Sequence, residues 1–514
     1  MASMKSLAKD TAIYGLSSIV GRFLNYLLVP LYTHVIPASS GGYGVVTNLY
    51  AYVALLLVIL TFGMETTFFR FANKEGENPH CVFSTSIGMV GTLTALFLAA
   101  VVLFIAPIAN GLGYVDHKEY ILMMACVVAL DAIQAIPFSY LRYKKKAMKF
   151  AALKMLFIVM NIGLNLLYFV ALPAIVGAQA DFSLFSFHVS LSTASVGAIF
   201  FLNLVCTGII TFFFIPEFAH EHVAAREYCK ENGVPFKIVD FALLGRMFRY
   251  SWPILVLGIA GILNQTADKM LFPLVYPNKA EASVQLGIYG GCVKIAMIMA
   301  MITQAFRYAY EPIVFAKSKD GDKKEYYAAA MKYFLIFTLF AFLSVVGYMP
   351  ILEGILGASY RDGMKVVPIV MVAEIMMGVY FNLSFWYKLI DKTIWGAWFS
   401  LAGCGVLIGV NILFIPEYSY MACAWGGVAG YGTAMVLSYV IGQMKYPIRY
   451  DLRGILFYVV ITAGLYLLMD ALEGTVPVWL QLVLNTVLII FYLAMVVMKD
   501  LPLKSLPVVG KHFS

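Results

Sequence analysis

Apolar stretches of roughly twenty residues recur from one end of the chain to the other, separated by short polar segments. Each is long enough to carry a helix through a hydrocarbon core. Fourteen are predicted, at 11–36, 42–69, 82–108, 119–141, 150–175, 189–215, 247–275, 286–311, 328–350, 366–390, 393–414, 420–443, 454–472 and 476–498. The polar segments alternate in charge. With the N-terminus placed in the cytoplasm, segments on that side hold 28 of the 36 Lys and Arg, and those on the other side hold four: Lys118, Lys279, Arg361 and Lys365. Basic residues are retained on the cytoplasmic side, and a wrong span count would scramble the alternation. The expectation is an all-α polytopic membrane protein of about 14 transmembrane helices with both termini cytoplasmic.

Composition agrees. The chain of 514 residues is 62% hydrophobic and 12% charged, against roughly 45–50% apolar usage in soluble domains. The net charge of +8 sits in loops beside spans and implies no nucleic-acid partner. Seven cysteines, odd in number and mostly inside apolar stretches, form neither a disulfide framework nor a zinc pattern. The first apolar stretch reads as a retained anchor, because it is long and a second span follows closely.

The longest polar connection starts at Pro216 and divides the chain. The expected organisation is a six-helix bundle over 1–215, a cytoplasmic linker over 216–246, a second six-helix bundle over 247–443, and two further helices with a tail over 444–514. "VPLYTHVIPASSGGYG" at the first-to-second span junction faintly repeats as "FPLVYPNKAEASVQLGIYG" at the seventh-to-eighth. A unit of six spans keeps its orientation when duplicated, which relates the two copies by an axis along the membrane normal. Two bundles facing one another across a cavity follow from that symmetry.

Charges inside the spans carry the functional reading. With Lys154, Arg249, Lys332 and Lys388 counted among the cytoplasmic segments they adjoin, Lys154 as part of the basic run from Arg142, four bases remain within spans, Arg22, Lys269, Lys294 and Arg307. Facing lipid, they would cost on the order of 10–14 kcal/mol together, so protein or water must face them. Acids at comparable depth are Asp131, Asp268 and Glu374, with Glu65 near an inner end. A structural reading pairs Arg22 with Asp131 or Lys294 with Asp268. Asp268 and Lys269 are consecutive, and on a helix they diverge, so they are expected not to neutralise one another. A functional reading makes the bases an anion site, since a guanidinium grips phosphate through two parallel hydrogen bonds. Asn25, Asn264, Gln265 and Gln304 are candidate sugar contacts beside it, and interhelical hydrogen bonds are the competing explanation for them. Asp131 or Glu374 are candidate sites for H+ or Na+ coupling.

Other motifs carry less. "HEH" at 220–222 with Cys229 lacks metal-site spacing, so no metal is expected. The glycine-rich stretches at 403–409 and 426–432 lie inside spans, where close helix packing explains them. No Walker motif is present, and no organic cofactor is expected.

"LAKDTAIYGLSSIVGRFLNYLLVPLYTHVIP", "YGVVTNLY" with "GMETTFFRFA", "RYSWPILVLGIAGILNQTADKMLF" and "LGIYGGCVKIA" resemble the matching parts of bacterial polysaccharide-biosynthesis flippases. These belong to the multidrug/oligosaccharidyl-lipid/polysaccharide exporter superfamily. The resemblance covers essentially the whole chain. It implies two pseudo-symmetric bundles, alternating access in the bacterial inner membrane, and movement of an undecaprenyl-pyrophosphate-linked oligosaccharide, such as an O-antigen unit, to the periplasmic leaflet. Implied partners are that lipid-linked substrate, membrane lipids and other polysaccharide-assembly proteins. Arg22 and Lys294 best match the cationic lumen of such flippases. The alternatives are a lipid II flippase, a drug/cation antiporter, which would favour an acidic cavity, and a membrane polymerase or ligase. The last is an enzyme needing polar groups on external loops, which here are short.

Overall fold

The computed structural model of the protein describes residues 26–176, 179–184, 187–192, 195–233, 235–317, 324–390 and 392–500. In chain order the helices are α1 (Leu28–Val35), α2 (Gly42–Thr61), α3 (Met64–Ala72), α4 (Pro79–Leu103), α5 (Ile105–Leu112), α6 (Lys118–Tyr143), α7 (Ala147–Leu166), α8 (Leu172–Val176), α9 (Val196–Phe212), α10 (Ile215–Glu231) and α11 (Phe241–Val275). They continue with α12 (Lys279–Ala296), α13 (Ile298–Lys317), α14 (Lys324–Gly347), α15 (Met349–Leu352), α16 (Val367–Leu383), α17 (Phe385–Leu389), α18 (Ile394–Tyr418), α19 (Tyr420–Lys445), α20 (Leu452–Leu472) and α21 (Val478–Lys499). Among the described residues twelve helices are long and apolar enough to cross a bilayer, and thirteen if α12 and α13, bent by 41° at their junction, count as one span. Predicted spans two to fourteen each coincide with one of these. The first, 11–36, lies outside the described residues except for its last part, which includes α1.

Local chemistry sets several helix starts. The Asn78 side chain accepts from the amides of His80 and Cys81, and Pro79 supplies the first turn of α4. Asp240 does the same for Ala242 and Leu243 at α11, and Ser195 for Ala198 at α9. Each satisfies amides that the first helical turn leaves without partners. Between α2 and α3, Phe62 and Gly63 take left-handed conformations, with φ of 51° and 67°, which interrupt the helix within one span, Gly42–Ala72.

The expected all-helical architecture holds for the described residues apart from one short antiparallel hairpin, β1 (Gln179–Leu184) and β2 (Phe187–Ser192), with Gln179 opposite Ser192, and one span boundary needs correcting. Predicted span six therefore begins at Val196, not at residue 189. Phe182, Leu184, Val189 and Leu191 alternate with polar residues, a strand period rather than a helical one. Most of 216–246 is also helical, as α10 and the first turns of α11.

Packing separates two compact units. One contains the described residues up to Gly290 together with Asn411–Cys423; the other contains Gly291–Val410 and the described residues from Ala424 onward. In the first, α2 and α11 lie antiparallel along their length. Phe62 meets Phe248 edge-on at 4.8 Å, Val58 covers Gly258, and the Asn48 amide donates to the Lys269 carbonyl at 2.8 Å. At the other end of α2, Gly44 presses on Ser283 and Gly287 of α12 so closely that an added Cβ would overlap the Ser283 carbonyl. Gly290 abuts Thr47. The two Tyr-Gly pairs of the sequence repeat thus supply glycines to one seam, where small residues let backbones approach.

In the second unit, α20 and α21 dock on α14. Tyr492 donates to the Ile336 carbonyl at 3.0 Å and Asn485 to that of Gly347 at 2.9 Å. Lys332 bridges Asp500 and, at 2.8 Å, Asp451. Gly403 of α18 and Gly430 of α19 leave no room for each other's Cβ, so these glycine-rich stretches are packing surfaces.

Replacing Gly44 with Ala should destabilise the protein by about 1–3 kcal/mol through overpacking. Gly163→Ala, in a helix with open space at the Cβ position, should be neutral or stabilising through helix propensity. Thermal unfolding of both variants in detergent checks the contrast; equal melting temperatures would contradict the seam.

Candidate functional site

Of the sites read from sequence, Arg22 and Asn25 lie outside the described residues. The others fall into clusters that belong to one compact unit or the other.

In the first unit, Lys269 is held by its own neighbourhood. Its ammonium donates to both oxygens of Asp268 at 3.1 Å and to the Gln265 carbonyl at 3.0 Å. Tyr289 donates to Asp268 at 2.7 Å. This corrects the expectation that consecutive residues cannot neutralise one another. Their backbone directions diverge, but the four-carbon lysine stem folds back along the helix toward the carbonyl one turn earlier and sweeps across the Asp268 carboxylate. Tyr114 donates to Asn48 at 2.9 Å, and Asn48 caps the Lys269 carbonyl, so the ion pair sits in a network tying α2, α11 and α12. Asn264, buried, donates to the Ala260 carbonyl at 2.9 Å, while Gln265 is exposed.

A second cluster lies along α6 and α7. Asp131 and Glu65 are the acids whose charge Lys154 senses. The Lys154 ammonium stands 3.9 Å from the Phe138 ring centroid, two helical turns from Asp131 on the same face. Arg142 reaches Glu65 at 3.3 Å. Sequence reading missed Lys154 by absorbing it into the basic run from Arg142. The signal was available: the predicted span 150–175 already contains Lys154, and α7, which starts at Ala147, puts it two turns inside a helix. Neutral polar groups continue the seam. Asn203 bonds the Tyr50 hydroxyl, and Gln134 donates to the Thr207 carbonyl at 2.9 Å and to Thr211 at 2.8 Å.

A third cluster was dismissed at the sequence level with "HEH". Glu221 is buried, and its carboxylate accepts from Tyr140 at 2.5 Å and lies 2.6 Å from His80 and 3.0 Å from His220. Glu217 beside it pairs with Lys149. The motif fastens α10 to α4, α6 and α7. Among the described residues no group of three or more His, Cys, Asp or Glu is arranged to hold a metal ion.

In the second unit, Lys294 on α12 and Gln304 and Arg307 on α13 are half-buried, on either side of the bend. The Arg307 guanidinium lies 5.2 Å from the Phe381 ring centroid, a cation–π contact. Phe381 shares a face of α16 with Glu374, two turns away. The predicted acid and base thus lie on packed helices.

A protein-family model described as "Polysaccharide biosynthesis protein" matches residues 7–315. No curated protein matches the sequence. Among solved structures, the fold is similar to "Lipid II flippase MurJ, inward closed conformation", with a TM-score of 0.67 and 14% identity, covering 94% of this chain and 98% of that one. It is also similar to an inward-facing multidrug resistance MATE family transporter of the MOP superfamily, with a TM-score of 0.61 and 13% identity, covering 82% and 94%. The outward-facing form of a MATE transporter matches with a TM-score of 0.52 and 12% identity over 89% and 96%. The molecule is a multi-pass membrane protein with the fold of these transporters.

A double-mutant cycle tests the Asp268–Lys269 pair. Asp268→Asn and Lys269→Met should each lower the melting temperature, and the double variant should recover part of the loss, a coupling of about 1–3 kcal/mol. Additive losses would mean that Lys269 is not held by Asp268.

Proposed function

The chain belongs to the polysaccharide biosynthesis protein family, and from that premise we propose that it is a flippase for a lipid-linked saccharide. The cargo is an undecaprenyl-pyrophosphate-linked oligosaccharide, carried from the cytoplasmic to the periplasmic leaflet of the bacterial inner membrane for cell-surface polysaccharide assembly. The family match over residues 7–315 carries this reading, and the bases inside the spans support it.

The chemistry required is desolvation. A pyrophosphate crossing the bilayer loses water that is worth many kcal/mol, and positive side chains fixed in the protein replace part of it. Arg22, Lys294 and Arg307 are the proposed anion contacts. Arg307 and Lys294 flank a bend, so a change of bend angle would alter their spacing. Lys269 is a weaker contact, because Asp268 already holds it. Gln304 and Asn264, with Asn25, are the proposed sugar contacts. The lipid tail stays in the bilayer while the cavity opens alternately to each side. Asp131, coupled to Lys154, is the proposed site of proton or sodium uptake, and Glu374 is the second. Other polysaccharide-assembly proteins would receive the translocated lipid.

A lipid II flippase is the reading to separate from this one. The fold is shared with a lipid II flippase and with multidrug transporters alike, so substrate assignment rests on the cargo itself. Depletion in the native cell, followed by leaflet-resolved measurement of lipid-linked saccharides, makes the separation. Polymer repeat units should accumulate in the cytoplasmic leaflet while lipid II continues to cross. Accumulation of lipid II instead would overturn the cargo assignment, and normally oriented repeats would overturn the flippase. Arg22→Ala should abolish transport and leave membrane insertion intact.

A further inference from the structure

A cavity of about 500 Å3 opens in the first unit, away from the intramembrane charges assigned above. Its walls are Phe83, Ile87 and Gly91 of α4, Ile133 of α6, Phe218 of α10 and Ile238 of the α10–α11 connection. The volume is that of a small-ligand site, and the walls are almost entirely hydrocarbon. The α4 residues lie four to twelve positions beyond Pro79, where that helix starts, so the groove runs about 6–18 Å in from that end. The bases Arg70 and Lys74 precede the same end, and loop charge assigns it to the cytoplasmic side. That depth is occupied by the acyl chains of the cytoplasmic leaflet.

The mouth has different chemistry. His222 lines it, and Arg226 and Lys230 follow at intervals of four along α10, both exposed. They form one basic stripe leading out of the hydrocarbon groove. The buried acids of α10 are turned elsewhere: Glu217 pairs with Lys149, and Glu221 is held by Tyr140 and His80. Glu227 and Glu231 lie one residue further round the helix. The roof is the connection between the two sequence halves. Ser84 donates to the Ile238 carbonyl at 3.1 Å, the Asp240 amide donates to Thr85 at 3.3 Å, and Gly88 leaves just enough room for Val239 to lie on α4. The Phe236 ring packs edge-on against His222 at 5.0 Å.

We propose that this groove seats an acyl chain of an anionic phospholipid, with its phosphate on His222 and Arg226. The argument is charge complementarity: an apolar slot at acyl-chain depth ending in a row of bases matches an anionic lipid and wastes the bases on a neutral one. Such a lipid completes the support under the connection and ties its position to the composition of the leaflet. The proposal does not depend on the cargo.

Native mass spectrometry of the purified full-length protein, titrated separately with phosphatidylglycerol and phosphatidylcholine, tests it. The wild type should retain phosphatidylglycerol as its most tightly held adduct. The double charge reversal Arg226→Glu/Lys230→Glu should weaken that adduct by roughly tenfold and leave phosphatidylcholine binding as it was. Gly91→Trp projects an indole into space where no atom stands within 4 Å of the added Cβ. It should remove the adduct while the melting temperature stays near wild type. Equal retention of both lipids by the wild type, or adducts unchanged in the charge-reversed variant, would overturn the proposal. Displacement of phosphatidylglycerol by an equimolar polyprenyl phosphate would also overturn it, by making the carrier lipid the occupant.

Discussion

A charged side chain within the hydrocarbon core has to be neutralised by the protein or by water in a cavity, at a cost of a few kcal/mol when it is not. That constraint organises the first unit. Asp268 and Lys269 close on one another within two consecutive residues, and Tyr289, Asn48 and Tyr114 extend the pair into a network joining three helices. Glu65 takes Arg142, and Asp131 faces the charge of Lys154. The last two link neighbouring helices, α3 with α6 and α6 with α7, where apolar side chains gain little by leaving lipid for one another.

Shape then does what hydrophobicity cannot. Gly44, Gly287 and Gly290 bring α2 and α12 to backbone contact, and Gly403 and Gly430 do the same for α18 and α19. Seams of this kind are rigid while closed, since a single methyl group already fails to fit.

Much of this was legible in the sequence. Span positions followed from apolar length, and the glycine-rich stretches were read as packing surfaces because no phosphate-loop context surrounds them. The failures have particular causes. The end of β2, from residue 189, was read as the head of a span because its apolar content was counted and its period was not. Lys154 was read as a loop residue because charge runs were grouped by proximity and not by where the next helix begins. The pairing of Asp268 with Lys269 was rejected on backbone direction, which neglects how far a lysine stem can fold. The Glu221 cluster joins residues 80, 140 and 220, a long-range assembly with no local pattern. For the candidate site, Lys294, Gln304, Arg307 and Glu374 were singled out by asking which polar residues lie at span depth, and the contact between Arg307 and Phe381 came only from the packing of α13 on α16.

The central claim is that bases inside the spans recognise the diphosphate of a lipid-linked saccharide. Its most direct test is the affinity of the purified protein for a polyprenyl-pyrophosphate saccharide compared with the same lipid saccharide lacking the phosphates, in the wild type and in Lys294→Gln/Arg307→Gln. The account predicts a strong preference for the diphosphate that rising salt weakens and the double substitution largely removes. Equal affinity for the charged and uncharged lipids, or a preference untouched by the substitutions, would contradict it.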